Sequence, residues 1–318
     1  MDNIKPLSFE LPIVEMEKKI EEMKQSLGLS DDAPEIKNLY KQLEDIKNKI
    51  YFNLTEWQIV EISRHPNRPT FIDYLNSIFT DFIELSGDRY FGDDKAIIAG
   101  FGRLNGTSVC VIGQEKGRTI EEKIKRNFGM PHPEGYRKAL RIMKLAERFR
   151  IPIITFIDTA GAYPGIGAEE RGQGEAIAKN LMEIFGIRTP IVSVVISEGG
   201  SGGALAIGIA DRVYMLEYAT YSVISPEGCA SILWKDASKA PEAAKSLKLT
   251  AKWCKEFGIV DKIIKEPLGG AHKNPHFVFN NLKNELIKDL ETLSKFSDEQ
   301  IIKMRYSKFR NLGVFEVK

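Results

Sequence analysis

Cysteine is scarce in this chain: Cys110, Cys229 and Cys254 stand alone among 318 residues, with no C-x-x-C pair. That spacing excludes a zinc ribbon or a disulfide scaffold and fits a reducing, cytoplasmic setting, so no metal site is expected. Long apolar runs are missing too. None approaches the roughly 20 residues that a membrane helix needs, and residues 1–10 carry no signal-peptide pattern. Charge of one sign is not in excess. With 45 Lys and Arg against 44 Asp and Glu the formal net charge is +1, which removes bulk attraction to nucleic acid. Neither a membrane nor a nucleic acid is therefore an expected partner. What remains is the composition of a globular protein, long enough for one large domain or two ordinary ones.

The stretch that organises the chain runs from Ile191 to Ala210. Ile191 to Ile196 is β-branched and apolar on both faces, as a covered parallel strand should be. A turn holding Gly199, Gly200, Gly202 and Gly203 follows, and a helix is expected from about Gly202 to Ala210. Glycine lets a backbone adopt positive φ and approach a ligand closely. The free N–H groups of the helix start then face whatever sits there, and the dipole favours an anion. A second stretch has the same grammar: strand Ile151 to Asp158, small-residue turn Thr159 to Gly167, helix from about Glu169. Successive parallel β-α layers are implied.

The rest of the chain frames these units. Met16, Ile20, Met23 and Leu27, then Ile36, Leu39, Leu43, Ile46 and Ile50, fall at helical spacing on either side of a break at Gly28 to Pro34. They predict an antiparallel helical hairpin. Thr55-Glu56-Trp57-Gln58 has capping-box form. Phe71 to Glu84 reads as one helix. Asn105-Gly106 joins two strands, Ala96 to Leu104 and Thr107 to Gln114. Gln114 to Pro133 reads as a basic loop, Glu134 to Phe149 as a helix with Lys138, Arg141 and Lys144 on a solvated face, and Phe277 to Leu293 as a helix before a polar tail.

Two chemistries can use the glycine turn. Gly199-x-Ser201-x-Gly203 matches a nucleophile elbow, and Asp211 or Asp261 followed by His272 or His276 gives the order Ser, Asp, His. Against a hydrolase, no HGGG-type segment lies upstream, and Ser201 sits among small residues where size alone explains it. With four histidines in the chain, that order also arises easily by chance. In the other chemistry the turns are oxyanion holes made of backbone, and no side chain is the nucleophile.

Here the chain resembles the carboxyltransferase α subunits of bacterial multi-subunit acetyl-CoA carboxylases. The resemblance rests on Leu54-Thr55-Glu56-Trp57-Gln58, Gly87-Asp88-Arg89, Phe91 to Ala96, Arg126 to Pro131, Pro133 to Ala139, Phe156 to Thr159, Gly161 to Gly165, Glu169 to Gln173, Glu198 to Ala206, Tyr221 to Trp234 and Pro267 to His272. Ala160 departs from it, because the family typically has proline after Asp-Thr; the rigidity of that turn is in question.

The resemblance implies an α/β crotonase-like (ClpP/crotonase) fold of stacked β-β-α units. It implies an N-terminal hairpin over residues 1–53, a carboxyltransferase domain over 54–295 and a C-terminal tail over 296–318. It implies transfer of a carboxyl group from carboxybiotin, presented by the biotin carboxyl carrier protein, to acetyl-CoA, giving malonyl-CoA for fatty-acid synthesis. The implied partners are a homologous β subunit that carries a zinc ribbon and most of the CoA site, the carrier protein, and biotin carboxylase. On this reading Gly202, Gly203 and Ala204 supply the oxyanion-hole N–H groups, while Gly161, Ala162, Tyr163, Gly199, Gly200 and Ser201 shape the carboxybiotin side. No lysine has the Met-Lys-Met context of a carrier domain, so biotin is not attached to this chain. Glu198 and Asp158, at strand ends, read as an ion pair or turn cap rather than as catalysts. The remaining alternative is a hydratase or isomerase of the same fold acting alone on an acyl-CoA, which would need a pair of carboxylates that the sequence does not locate.

Overall fold

The computed structural model describes residues 6–313, so the first five and last five positions lie outside the described residues. Helices α1 (Leu11–Leu27) and α2 (Pro34–Tyr51) form the expected hairpin, turned at Gly28 in the left-handed region. Ile13, Ile20, Ile36, Leu39 and Leu43 close its seam as a small core of its own. The hairpin is fastened at its base, where the Tyr51 hydroxyl donates to buried Glu10 at 2.6 Å. Helix α3 (Glu56–Ser63) starts at the Thr55/Gln58 capping box, and α4 (Phe71–Ile78) follows.

The central sheet has eight strands: β1 (Thr80–Glu84), β2 (Ile97–Leu104), β3 (Thr107–Gln114), β4 (Ile153–Thr159), β5 (Ile191–Gly200), β6 (Arg212–Leu216), β7 (Thr220–Ser222) and β8 (Lys262–Ile264). The order is β1-β2-β3-β4-β5-β6-β8, with β7 on the far end of β5. β1, β2 and β3 pair antiparallel, the rest parallel. Between them run α5 (Ile120–Lys125), α6 (Pro133–Arg148), α7 (Ile166–Glu170), α8 (Gln173–Phe185), α9 (Ser201–Gly208), α10 (Pro226–Trp234), α11 (Ala240–Leu247) and α12 (Ala251–Glu256), and after the last strand come α13 (Pro275–Leu293) and α14 (Asp298–Arg310). β4 is buried along its whole length and β5 almost so, which is why both read as unbroken apolar runs. Among the described residues no helix is long and apolar enough to cross a membrane.

Several segments differ from the sequence reading. Phe71 to Glu84 is not one helix: it ends at Ile78, Phe79 is extended, and Thr80–Glu84 becomes an edge strand on β2. Gly100 makes this possible, since a Cβ there would lie 2.1 Å from the Ile83 carbonyl oxygen. The apolar spacing of Phe79 and Phe82 mimicked a helix period. The basic loop contains the short α5, opened by a Thr119/Glu122 capping box. Lys138 is not on a solvated face; its ammonium is fully buried, donating to Asp93 at 2.6 Å and to the Asp94 carbonyl at 2.7 Å.

The segment read as a polar tail is largely α14, and its anchor is a charged residue. Arg305 is 0% exposed. It donates to Asp211 at 2.8 and 3.0 Å and to the carbonyls of Ile184, Ile187 and Thr189. Asp211 in turn accepts the Ile191 N–H at the start of β5. Removing one member of a buried pair leaves the other uncompensated and costs ~3–5 kcal/mol. Arg305→Ala should therefore lower the unfolding free energy by about that amount in urea titrations, whereas the paired change Arg305→Met with Asp211→Leu should recover part of it.

Candidate functional site

Parallel pairing brings the C-terminal ends of β3, β4 and β5 side by side, with Gly113 opposite Phe156 and Ile157 opposite Val195. Register shifts between Ile157 and Thr159, and Thr159 then faces Gly199. The turn after β4 and the turn after β5 therefore meet. They meet backbone to backbone: a Cβ on Gly200 would lie 2.1 Å from the Ala160 carbonyl oxygen, and one on Gly203 2.4 Å from the Gly161 carbonyl carbon. A Cβ on Gly199 would strike the Tyr221 ring at 2.6 Å. These glycines serve close approach, not positive φ. The left-handed residue of the turn is Ser201, at φ 50°, and β5 continues through Gly199 and Gly200, paired with Tyr221 and Ser222 of β7.

Helix α9 starts at Ser201 with Gly200 as its N-cap, so Gly200, Ser201, Gly202 and Gly203 carry the four N–H groups that have no partner one turn earlier in the helix; Ala204, expected as a donor, is fully buried and its N–H lies one turn after the Gly200 carbonyl, so it is not among them. Gly203 and Ala204 are buried, Gly202 is half-buried and Ser201 is exposed. The opposing wall is Ala160, Gly161 and Ala162. Without a proline at 160 this turn is fastened by Thr159, whose hydroxyl donates to the Gly161 carbonyl at 2.7 Å and accepts the Gly161 N–H at 3.1 Å. Tyr163 stacks on His132 with centroids 4.2 Å apart, and its N–H and carbonyl are taken by Pro131 and Gln173. The structure thus brings Gly161, Ala162, Gly199, Gly200, Ser201, Gly202, Gly203 and Ala204 together, with Tyr163 at the edge.

Sequence reasoning missed Gln114 and Arg64 here, and read Lys116 only as one cation of the basic loop, solvated or anion-contacting. Gln114, fully buried, donates from Nε2 to the Gly203 carbonyl at 2.8 Å and accepts the Asp158 N–H at 3.1 Å. Lys116 lies 2.7 Å from both Asp158 and Glu198. Arg64, at the end of α3, donates to Glu198 at 2.7 Å and also pairs with Glu227. Their only sequence signal was position: Gln114 ends a strand, and the basic loop starts at Lys116. Burial raises the pKa of the Glu198 carboxyl, but the charges and hydrogen bonds of Lys116 and Arg64 outweigh it and hold the group at about 2. Burial opposes the Lys116 charge as well, yet Asp158 and Glu198 raise its pKa above the ordinary value.

These facts sort the chemistries. Asp158 and Glu198 form the carboxylate pair that the sequence did not locate, but Glu198 is locked in its ionised form and cannot act as a general acid near neutral pH. Ser201 is exposed and left-handed, as in a nucleophile elbow, but no base serves it. His272 is stacked on His65 at 3.8 Å with both ring nitrogens unpartnered, and burial drives its pKa down to about 3. Asp211 belongs to Arg305, and Asp261 is paired with Lys308. Among the described residues no histidine is hydrogen-bonded to Ser201. What remains is a backbone donor set beside fixed charges, suited to an oxygen that becomes negative.

Residues 6–313 match the family described as acetyl co-enzyme A carboxylase carboxyltransferase-like. The chain is 56% identical over 310 residues to the acetyl-coenzyme A carboxylase carboxyl transferase subunit alpha of Actinobacillus pleuropneumoniae serotype 5b (strain L20), covering 96% of this chain and 98% of that one. It is 55% identical over 313 residues to the subunit of the same name from Xanthomonas campestris pv. campestris (strain B100), covering 98% of each. Among solved structures, a chain of transcarboxylase 12S superposes with a TM-score of 0.57 at 21% identity, over 70% of this chain and 41% of that one. The β subunit of P. aeruginosa geranyl-CoA carboxylase gives 0.52 at 16%, over 68% and 40%. The fold is shared, and this chain spans about two-fifths of each of those longer chains.

Two outcomes follow from the site. Gly203→Val should abolish activity, whereas Gly202→Ala, whose Cβ would meet only Ile177 methyls at 3.5 Å or beyond, should fold like the parent; steady-state assays with thermal unfolding separate them. Glu198 has a folded-state pKa of about 2, below the ~4.3 of an unperturbed Glu. Its stabilisation is present above ~4.3 and fades as pH falls toward the folded value. Glu198→Gln should flatten the fall of unfolding free energy across that acid window; an unchanged slope would contradict the ion-pair assignment.

Proposed function

Since this chain belongs to the acetyl-CoA carboxylase carboxyltransferase-like family, we propose that it is the half of an acetyl-CoA carboxytransferase that holds carboxybiotin, forming malonyl-CoA at a site completed by a β-type subunit. One observation carries the assignment of roles. The turns after β4 and β5 pack backbone to backbone beside the start of α9, which supports the free N–H groups of Gly202 and Gly203 as the donors of the site.

The donor set fits a ureido oxygen: it is uncharged, made of backbone, and lies at a helix N-terminus where negative charge is favoured. Bound biotin would supply the transferable carboxyl group and, once relieved of it, a basic nitrogen. The chain's own contribution is binding, orientation and charge. Gly202 and Gly203 donate to the oxygen as it becomes negative, each missing donor typically costing ~3–4 kcal/mol in the transition state. Gly161 and Ala162 form the facing wall, and Tyr163 on His132 bounds it. Lys116 and Arg64 keep Glu198 ionised, so this carboxyl does not compete as an acid, in keeping with a reaction that asks no side chain to move the proton. Beside Ala160, Thr159 fastens the wall through its two hydrogen bonds to Gly161.

Features beside the site support a partner. Leu205 on α9, Val223 after β7, and Ile232 and Leu233 on α10 are 40%, 75%, 71% and 63% exposed. A subunit of the same fold that covers Leu205 and Val223, which line one surface with Ser201 and Gly202, would also exclude water from the donors. The carrier protein and biotin carboxylase belong to the same proposal, as does a cytoplasmic location, supported by three unpaired, buried cysteines. So does the division into a hairpin over 1–53, a catalytic body over 54–295 and a C-terminal segment over 296–318 that docks through Arg305.

The test is malonyl-CoA decarboxylation coupled to biocytin carboxylation, with this chain alone and mixed with a β-type carboxyltransferase subunit. Activity in the mixture only is expected. Hydration of an enoyl-CoA by this chain alone would replace the reading with a self-sufficient acyl-CoA enzyme.

A further inference from the structure

We propose that the apolar cavity alongside α9 seats the uncharged ring body of biotin, and that Phe309 and Leu312 of the C-terminal segment are specificity-determining residues for it. This rests on the assignment of carboxybiotin to this chain. The cavity holds about 400 Å³, within the ~300–1,000 Å³ usual for small-molecule sites. Ser201 and Gly202, at the donor end of α9, line it together with Leu205 of the same helix. Helix α8 adds Leu181, and the C-terminal segment adds Phe309 and Leu312.

Among the described residues, none that lines the cavity is charged. It therefore offers nothing to pair with a phosphate, and the nucleotide end of an acyl-CoA is a poor occupant. Biotin is built differently. Its ureido group is polar, while its sulfur-containing ring and the methylenes beside it are apolar. The carboxyl group of carboxybiotin is carried on a ureido nitrogen, away from the apolar part. A ring whose ureido oxygen meets the Gly202 N–H brings that apolar body to the same wall, where Leu205 stands one turn beyond Ser201 on one helix face. Burying it there gains free energy in proportion to the apolar area removed from water.

A buried charge places the C-terminal wall. Arg305, held by Asp211 and by the carbonyls of Ile184, Ile187 and Thr189, fixes α14 against α8 and the start of β5. Phe309 follows one turn later on the same helix face, and its ring packs edge-on against Phe185 of α8 with centroids 5.3 Å apart. Phe309 and Leu312 both remain half-buried, so each has surface left for a ligand. An apolar side chain of the partner would also fit here. The cavity is formed within one chain and shares its wall with the donors, which favours the substrate as its occupant.

The test uses the complex with a β-type subunit and follows decarboxylation of malonyl-CoA driven by biocytin or by its desthio analogue, which keeps the ureido ring and lacks the sulfur ring. Wild type should favour biocytin. Phe309→Ala, which cuts away part of the wall, and Leu312→Trp, which fills the cavity, should each raise KM for biocytin about tenfold, the scale of a misfit in an apolar pocket. KM for malonyl-CoA should change little, and Phe309→Ala should narrow the preference over the desthio analogue. Thermal unfolding checks that both variants are folded.

A second readout needs no turnover: in the wild-type complex with ¹³C-labelled leucine methyls on this chain, the Leu205 and Leu312 resonances should move when biocytin is added. Unchanged KM for biocytin in both folded variants, or unmoved methyl resonances, would overturn the proposal. Weakened association with the β-type subunit at unchanged KM would give the cavity to the partner instead. If the wild-type complex were inactive, the functional reading would fail, and the methyl resonances would still decide whether the cavity takes biotin.

Discussion

Two turns of polypeptide lie against each other here with no side chain between them. Gly200 and Gly203 on one side and Ala160 to Ala162 on the other approach so closely that a single added carbon would overlap backbone atoms. Much else follows from that constraint. It requires β4 and β5 to be neighbours and parallel, their register to shift just before the turns, and α9 to start where β5 stops. The result is a helix N-terminus held against a wall of backbone, where the polar groups are preorganised before any ligand arrives. Preorganised donors need no rearrangement as charge develops, which is the main physical advantage an enzyme has over water.

The charges around the turns serve the same end. Lys116 bridges Asp158 and Glu198, and Arg64 bridges Glu198 and Glu227. The bridges tie the ends of β4 and β5 to the loop after β3 and to α3 and α10. A buried network of this kind contributes little net stability when its desolvation is counted. Its contribution is to specify one arrangement of the strand ends. A similar arrangement lies farther out, where Lys138 and Arg141 on α6 grip the loop before β2 through Asp93 and the carbonyls of Ser86, Gly87 and Asp94.

The repeating unit was legible in the sequence because β4 and β5 are buried and apolar and end in small residues. So were the hairpin helices, the strand pair around Asn105-Gly106, and the glycine turn between β5 and α9. Less legible were features where a long-range partner decides. Phe71 to Glu84 has helical spacing, yet two glycines in β2 allow its second half to pair as a strand. α14 was hidden because its anchor, Arg305, is a charge, and only the distant Asp211 makes burying it favourable. Gln114 gave no local signal beyond its strand end, and Lys116 only its place in a basic loop, since their partners lie 44 or more and 42 or more residues away along the chain. Of the two reasons for the glycines, close approach holds for Gly199, Gly200 and Gly203, though to the protein's own backbone and Tyr221, while positive φ does not: none of Gly199, Gly200, Gly202 and Gly203 has the left-handed backbone, and Ser201 does.

The central claim is that backbone N–H groups at the start of α9 hold the biotin oxygen. A structure of this chain with its β-type partner and a bound biotin derivative tests it most directly. The account predicts the ureido oxygen about 2.7–3.1 Å from the N–H groups of Gly202 and Gly203. A biotin ring bound with that oxygen turned to solvent or to a side chain, and the α9 donors left to water, would contradict it.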